Sequence, residues 1–214
     1  MSRNLQLEYI HEEAEFVVVI KPSGMLSIPG KGPEKADCVV ARVKERHPQS
    51  IEHPSVHRLD MDTSGLMVVP LTTPAHRHIS IQFQQRVIFK RYIALLEGEL
   101  AKDKGTIELP FRVDVDNRPH QIYDTENGKM GITHWEKLGI EDGMTRVSFH
   151  PITGRTHQLR VHAAHELGLG IPIVGDPLYG NGVGPAELRL HACELGFEHP
   201  VTGENLRFRS DSPF

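Results

Sequence analysis

The sequence predicts an α+β protein: a mixed, mostly antiparallel β-sheet core flanked by helices and loops. Three observations carry this. Short apolar runs with strand character recur along the chain and outnumber the helical stretches. Many successive runs are joined by short turns rich in Gly, Pro and Asp. Regular βαβ alternation is missing, which disfavours a doubly wound parallel sheet.

The elements follow in chain order. LEYI and FVVVIK read as two strands around the polar turn HEEAE, and Pro22-Ser23-Gly24 ends the second. Ile28 to Lys35 is rich in Gly and Pro and predicts an exposed loop. Ala36 to His47 predicts a helix stopped by Pro48, and Leu66 to Val69 a buried strand. Thr73-Pro74 starts a second helix, with Thr73 as cap and Ala75, Ile79 and Phe83 as its buried stripe. Arg91 to Glu97 predicts a strand, and Ala101 to Gly105 reads as a short linker. Ile132 to Leu138 and Met144 to Pro151 form a hairpin around Glu141-Asp142-Gly143. A helix follows Gly154, with Leu159, Ala163 and Leu167 on one face. Strands near Arg189–Phe197 and Asn205–Arg209 close the chain around the turn His199–Gly203.

Composition narrows the function. With 38 % apolar and 24 % charged residues in 214, the composition disfavours wholesale disorder, and the length suits one large domain or two small ones. No apolar run reaches the roughly 20 residues that span a bilayer. The start MSRNLQLEYI lacks a signal pattern, and the two cysteines form no CxxC, so a reduced cytoplasmic protein is expected. A net charge of −4 disfavours a protein that coats nucleic acid, but one local basic cleft suffices for a nucleic-acid enzyme. The 14 histidines invite a metal reading. The spacing fails it: His162-Ala163-Ala164-His165-Glu166 is not HExxH, and His76 and His78 point to different helix faces. Gly180, Gly182 and Gly184 read as a flexible loop, since no strand-to-helix context or GK[ST] makes them a phosphate cradle.

Two clusters carry chemistry. His57-Arg58-Leu59-Asp60-Met61-Asp62-Thr63-Ser64-Gly65-Leu66 places a carboxylate in a loop entering a buried strand, where a rigid core can hold it. On residue types alone, a structural Arg–Asp pair in a turn is the commoner arrangement. Pro151 to His162, PITGRTHQLRVH, puts Arg160 between Leu159 and Val161, an unusual place for a solvated cation. Arg86, Lys90 and Arg91 form a basic cluster beside Tyr92, either a solvated surface or a phosphate-contacting rim. Arg155 is a further candidate for a phosphate track.

HRLDMDTSGL, KRYIAL, PITGRTHQLRVH, GDPLYG and LRLHA, in that order, resemble the RluA family of RNA pseudouridine synthases. KPSGMLSIPG is similar to the family's opening segment. The resemblance runs from about Lys21 to the C-terminus and fits the family's short type, which lacks an S4-like RNA-binding domain. It implies a single catalytic domain over 1–214 with a pseudouridine synthase-like fold, and isomerisation of uridine to pseudouridine in structured ribosomal RNA and/or tRNA stem-loops. It also implies Asp60 as the catalytic aspartate, Tyr92 as the active-site tyrosine and Arg160 as the cation paired with the aspartate. Arg58 is implied at the RNA near the flipped base, and Leu190 as an apolar pocket residue.

The reaction breaks N1–C1′, rotates the base and joins C5 to C1′. It needs no redox change, so neither a metal nor an organic cofactor is expected. A carboxylate can serve as nucleophile or base on the sugar, leaving attack at C1′, attack at C6 and proton removal at C2′ open. A nearby cation favours its charged form. Two rivals remain at this stage: an RNA hydrolase using His57, His157 or His162, and a non-catalytic RNA-binding module. Nothing in the chain demands a partner subunit, so a monomer is expected.

Overall fold

A computed structural model describes residues 5–184 and 186–214. It contains ten strands, three α-helices and one short 3-10 helix among the described residues. The chain divides into two compact units, Met1–Lys90 with His191–Pro213, and Arg91–Leu190 with Phe214.

In the first unit, β1 (Glu8–Glu12) pairs antiparallel with β2 (Phe16–Lys21), and β2 with β3 (Ser64–Pro70). β3 runs parallel to the start of β9 (Leu190–Glu198), through Ser64↔His191 and Gly65↔Ala192. β10 (Asn205–Arg209) pairs antiparallel with β9. Phe16, Val18, Leu66, Val68, Ile79, Leu195 and Phe197 form the core on which the helix α2 (Thr73–Gln85) lies. Alternate residues of a strand share a face, so FVVVIK and GLMVVP bury both sides. α1 (Val39–Arg46) ends before Pro48 as predicted. Ala75 and Ile79 are buried on α2, but its cap is Thr72, whose hydroxyl accepts from the Ala75 N–H; Thr73 is already helical.

Gly65 sets how closely β3 and β9 approach. Its φ is +116°, and an added Cβ would stand 2.5 Å from the Ala192 nitrogen. Gly65→Ala is expected to cost roughly 3 kcal/mol or more through backbone strain and collision with a neighbouring strand. Urea unfolding checks this; an unchanged midpoint would mean that the two strands part readily.

The second unit is an antiparallel sheet in the order β4 (Phe89–Leu96), β8 (Met144–Pro151), β7 (Lys129–Glu141), β5 (Lys104–Val113), β6 (Gln121–Tyr123). β5 and β6 went unpredicted, and the expected linker Ala101–Gly105 runs into β5. Ile107, Leu109 and Phe111 point from β5 into a core with Ala94, Val147 and Phe149. α3 (Gln158–Ala164) covers this core with Leu159, Val161 and Ala163. It is shorter than predicted, and Leu167 lies beyond it, 58 % exposed. The chain turns back there, with the N–H groups of Leu169 and Ile171 donating to the carbonyls of His162 and Ala163.

Candidate active site

Asp60 sits in the first unit, half-buried, in the loop that enters β3. Residues on both sides of it are pinned. The His57 ring stacks on Phe83 at 4.7 Å, and its Nε2 accepts the Val68 N–H at 3.1 Å. Desolvation, helped by the charge of Lys90, pushes the His57 pKa down to about 3, so it is a neutral acceptor. Ser27 Oγ both donates to the Leu59 carbonyl and accepts the Leu59 N–H, at 2.7 and 3.0 Å. The Thr63 N–H donates to the carbonyl of Asp60 at 3.2 Å.

Lys21 is a further pin, present in the sequence reading only within the block KPSGMLSIPG. Its side chain is fully buried, and Nζ donates to the carbonyls of Met25, Met61 and Pro22 at 2.8, 2.8 and 3.0 Å. Burial drives its pKa down to about 7 against the pull of Asp62 and Asp60. One ammonium thus ties the end of β2 to the residue following Asp60. Beneath the loop, Ser64 Oγ meets His191 Nδ1 at 2.8 Å and His191 Nε2 meets Ser210 Oγ at 3.1 Å. Desolvation puts the His191 pKa near 4, so this chain is uncharged.

Tyr92 and Arg160 belong to the second unit. Tyr92 is half-buried on β4, opposite Phe149 of β8. Arg160 is 2 % exposed on α3. Gln158 moors the start of that helix: its Oε1 accepts from Thr153 Oγ1 and the Arg155 N–H, and its Nε2 donates to the Ile132 carbonyl and Thr133 Oγ1. Arg160 Nε and Nη2 donate to Asp176 Oδ2 and Oδ1 at 2.8 and 2.6 Å. Burial works to raise the Asp176 pKa, but Arg160 and the N–H groups of Leu178 and Tyr179 outweigh it and hold it below the usual carboxylate value. The sequence resemblance implies Asp60 as the partner of Arg160; within its own unit Arg160 is paired with Asp176.

Arg58, Arg86 and Arg155 are exposed, and Lys90 and Arg91 half-buried. Arg86 is the left-handed C-cap of α2, with φ 61°. Leu190 is 3 % exposed and packs in the core of the second unit. A side chain so placed shapes the structure from inside, and we assign it no direct RNA contact.

Of the three histidines weighed for a hydrolase, two are engaged elsewhere and the third is fully buried. His57 holds a strand N–H, and His157 Nδ1 is 2.9 Å from the Tyr179 hydroxyl. His162 is fully buried, with its pKa pushed down to about 4 by desolvation and no hydrogen-bond partner on either ring nitrogen among the described residues. The Gly180–Gly184 loop is not an open anion cradle either, because the N–H groups of Gly180 and Gly182 donate to the Asp176 carbonyl. No group of three or more His, Cys, Asp or Glu is arranged for a metal among the described residues. No helix among them is long and apolar enough to cross a membrane.

Known proteins match this sequence along nearly the whole chain. Residues 15–165, parts of both units, match the family described as RNA pseudouridylate synthase. "Dual-specificity RNA pseudouridine synthase RluA" of Yersinia pestis is 44 % identical over 209 residues, 96 % of this chain and 98 % of the relative. The protein of the same name from Escherichia coli strain K12 is 41 % identical over 212 residues, 97 % of this chain and 94 % of the relative. Among solved structures, "Human RNA Pseudouridylate Synthase Domain Containing 1" superposes with a TM-score of 0.80 at 28 % identity, covering 100 % of this chain and 86 % of that one. Family match, near-full-length identity and shared fold agree with the motif blocks: the chain belongs to the RNA pseudouridylate synthase family.

Proposed function

We propose that this pseudouridine synthase acts on uridines in structured ribosomal RNA and/or tRNA stem-loops, in the cytoplasm and as a monomer, with Asp60, Tyr92 and Arg160 carrying the reaction. The observation that supports this best is the pinned loop around Asp60. Hydrogen bonds fix residues 57, 59, 61 and 63, so the carboxylate is presented from a rigid mount. The target base is flipped out of its stem-loop, at a cost of roughly a few kcal/mol, before the carboxylate acts on the nucleotide. Tyr92 stacks on the detached base, and Arg160 supplies the positive charge of the site. The two units serve as one catalytic domain, since the motif blocks are shared between them. Incubation with a transcript tritiated at uridine C5 tests the reading: isomerisation releases tritium, a nuclease shortens the RNA, and a binding module does neither. Mapping pseudouridine in ribosomal RNA and tRNA from cells with and without the gene identifies the uridine.

The basic residues supply affinity by neutralising phosphates. Lys90 and Arg91 are consecutive on β4, so their side chains leave opposite faces of the strand and only Lys90 shares a face with Tyr92. Burial and the charge of Arg86 bring the Lys90 pKa down to about 8, so it is charged at pH 7 and loses its charge as the pH rises further. Replacing both residues by glutamine is expected to flatten the slope of log affinity against log salt by about 0.7 to 0.9, the value of one phosphate contact. Filter binding across a salt series measures it, and an unchanged slope would place the RNA elsewhere.

EDTA is expected to leave tritium release intact. The isomerisation moves a glycosidic bond within one nucleotide and activates no water, so no Lewis acid is called for. Activity lost in EDTA and restored specifically by zinc, on an RNA that stays folded without divalent ions, would contradict this.

A further inference from the structure

We propose that Asp176 is the positioning residue for Arg160, fixing the plane and direction of its guanidinium for the isomerisation; this rests on Arg160 acting in that reaction. The side chains are 3 % and 0 % exposed, and the contact is two-pronged, Nε to Oδ2 and Nη2 to Oδ1. Such a fork fixes the orientation of the guanidinium as well as its place. It commits one edge of the group, so any reacting group that Arg160 serves must meet another.

The anchor is itself anchored. Asp176 Oδ1 also accepts the N–H groups of Leu178 and Tyr179, at 2.9 and 3.1 Å. The Asp176 carbonyl accepts from the N–H groups of Gly180 and Gly182, and its own N–H donates to Ile173. The loop then returns to the helix that carries Arg160. The Tyr179 ring lies 5.3 Å from the guanidinium carbon, and the Tyr179 hydroxyl meets His157 Nδ1 at 2.9 Å, at the start of α3. The Gln121 N–H donates to the same hydroxyl at 2.8 Å. Arg160, Asp176, Tyr179 and His157 therefore form a closed circuit. A buried ion pair is a poor device for stability alone, since a well-packed apolar pair often does as well or better. Directing a guanidinium is something an apolar pair does not do.

The test compares Asp176→Glu, Asp176→Asn and Arg160→Lys, alone and combined, in single-turnover tritium release at saturating RNA, with rates referred to the fraction folded by circular dichroism. Asp176→Glu keeps the charge but is one methylene longer, so it displaces the guanidinium. Its rate is expected to fall at least about tenfold, because misplacement by about 1 Å is costly to catalysis. RNA affinity should stay within about threefold, since the loss is in orientation and not in phosphate contacts. Arg160→Lys, which has no fork to direct, is expected to be slow alone and to lose less than about threefold more on adding Asp176→Glu, the signature of two residues acting as one unit. A wild-type rate for folded Asp176→Glu overturns the proposal, as does an equal loss in both backgrounds. Loss of folded protein in both Asp176 variants assigns the pair to stability and also overturns it. A wild-type rate for Arg160→Lys would remove Arg160 from the reaction, which is the separate failure of the reading beneath.

Discussion

Asp60→Asn is expected to bring pseudouridine formation to background while leaving the fold and most RNA affinity in place. Asparagine matches aspartate in size, and the backbone bond from the Thr63 N–H to the carbonyl of residue 60 is unaffected by the change. The pins at Ser27 and His57 are contacts of other residues and survive it, and Lys21 keeps its carbonyl acceptors and the charge of Asp62 while losing that of Asp60. What is lost is the only group at this position able to take a proton or attack carbon. General-base catalysis alone is worth roughly 10²- to 10⁴-fold, and a lost nucleophile removes its covalent route altogether. Single-turnover tritium release, with circular dichroism on the same sample, measures both halves of the expectation. A near-normal rate in a folded variant would take Asp60 out of the chemistry, and with it the assignment drawn from HRLD.

β2 and β3 of the first unit are legible because both of their faces are buried. FVVVIK and GLMVVP are continuous apolar runs, and such runs need no partner to be recognised. β5 was not, although Ile107, Leu109 and Phe111 alternate with exposed or half-buried residues as a one-sided strand should. Pro110 and the charged residues at its start masked that period. In the structure Pro110 lies in β5 opposite Met130 of β7, with its carbonyl accepting from Asp124. The cap of α2 was missed by one residue because Thr72 and Thr73 are chemically alike. Only the bond from the Ala75 N–H to the Thr72 hydroxyl separates them.

Of the candidate site, the residues we propose for the chemistry are distinctive in the sequence, and those that hold them are not. Asp60 and Arg160 stand out as charges next to apolar neighbours. Lys21 looks like a strand-ending surface lysine, and its three carbonyl acceptors come from residues up to 40 positions away. Asp176 has a readable signal: an aspartate followed by Pro and Gly residues favours a turn in which its side chain takes backbone N–H groups. That Leu178 and Tyr179 do donate to it could be anticipated; that its other oxygen would grip Arg160 could not, because helix and loop meet only in the folded unit.

Tyr92→Phe is expected to retain RNA affinity and lose most of the chemistry, and Tyr92→Ala to lose both. Phenylalanine is expected to fit the packing of the position: Tyr92 is half-buried, packs on the core of its unit and stands opposite Phe149. Phenylalanine keeps the aromatic face that we propose stacks on the detached base, a contact worth about 1 to 3 kcal/mol. It removes the hydroxyl, the part of the side chain able to relay the C5 proton or to place the group that does. The size of the effect follows from that role: loss of a proton-transfer group costs roughly 10²- to 10⁴-fold in rate. Alanine removes the stack as well, so its affinity should fall by about 5- to 150-fold, the same 1 to 3 kcal/mol. Filter binding and single-turnover rates on both variants separate the two contributions at one position. Full turnover in the phenylalanine variant alongside a defective alanine variant would leave stacking as the whole role of Tyr92. Normal turnover in both would mean that the tyrosine of KRYIAL is not the active-site tyrosine.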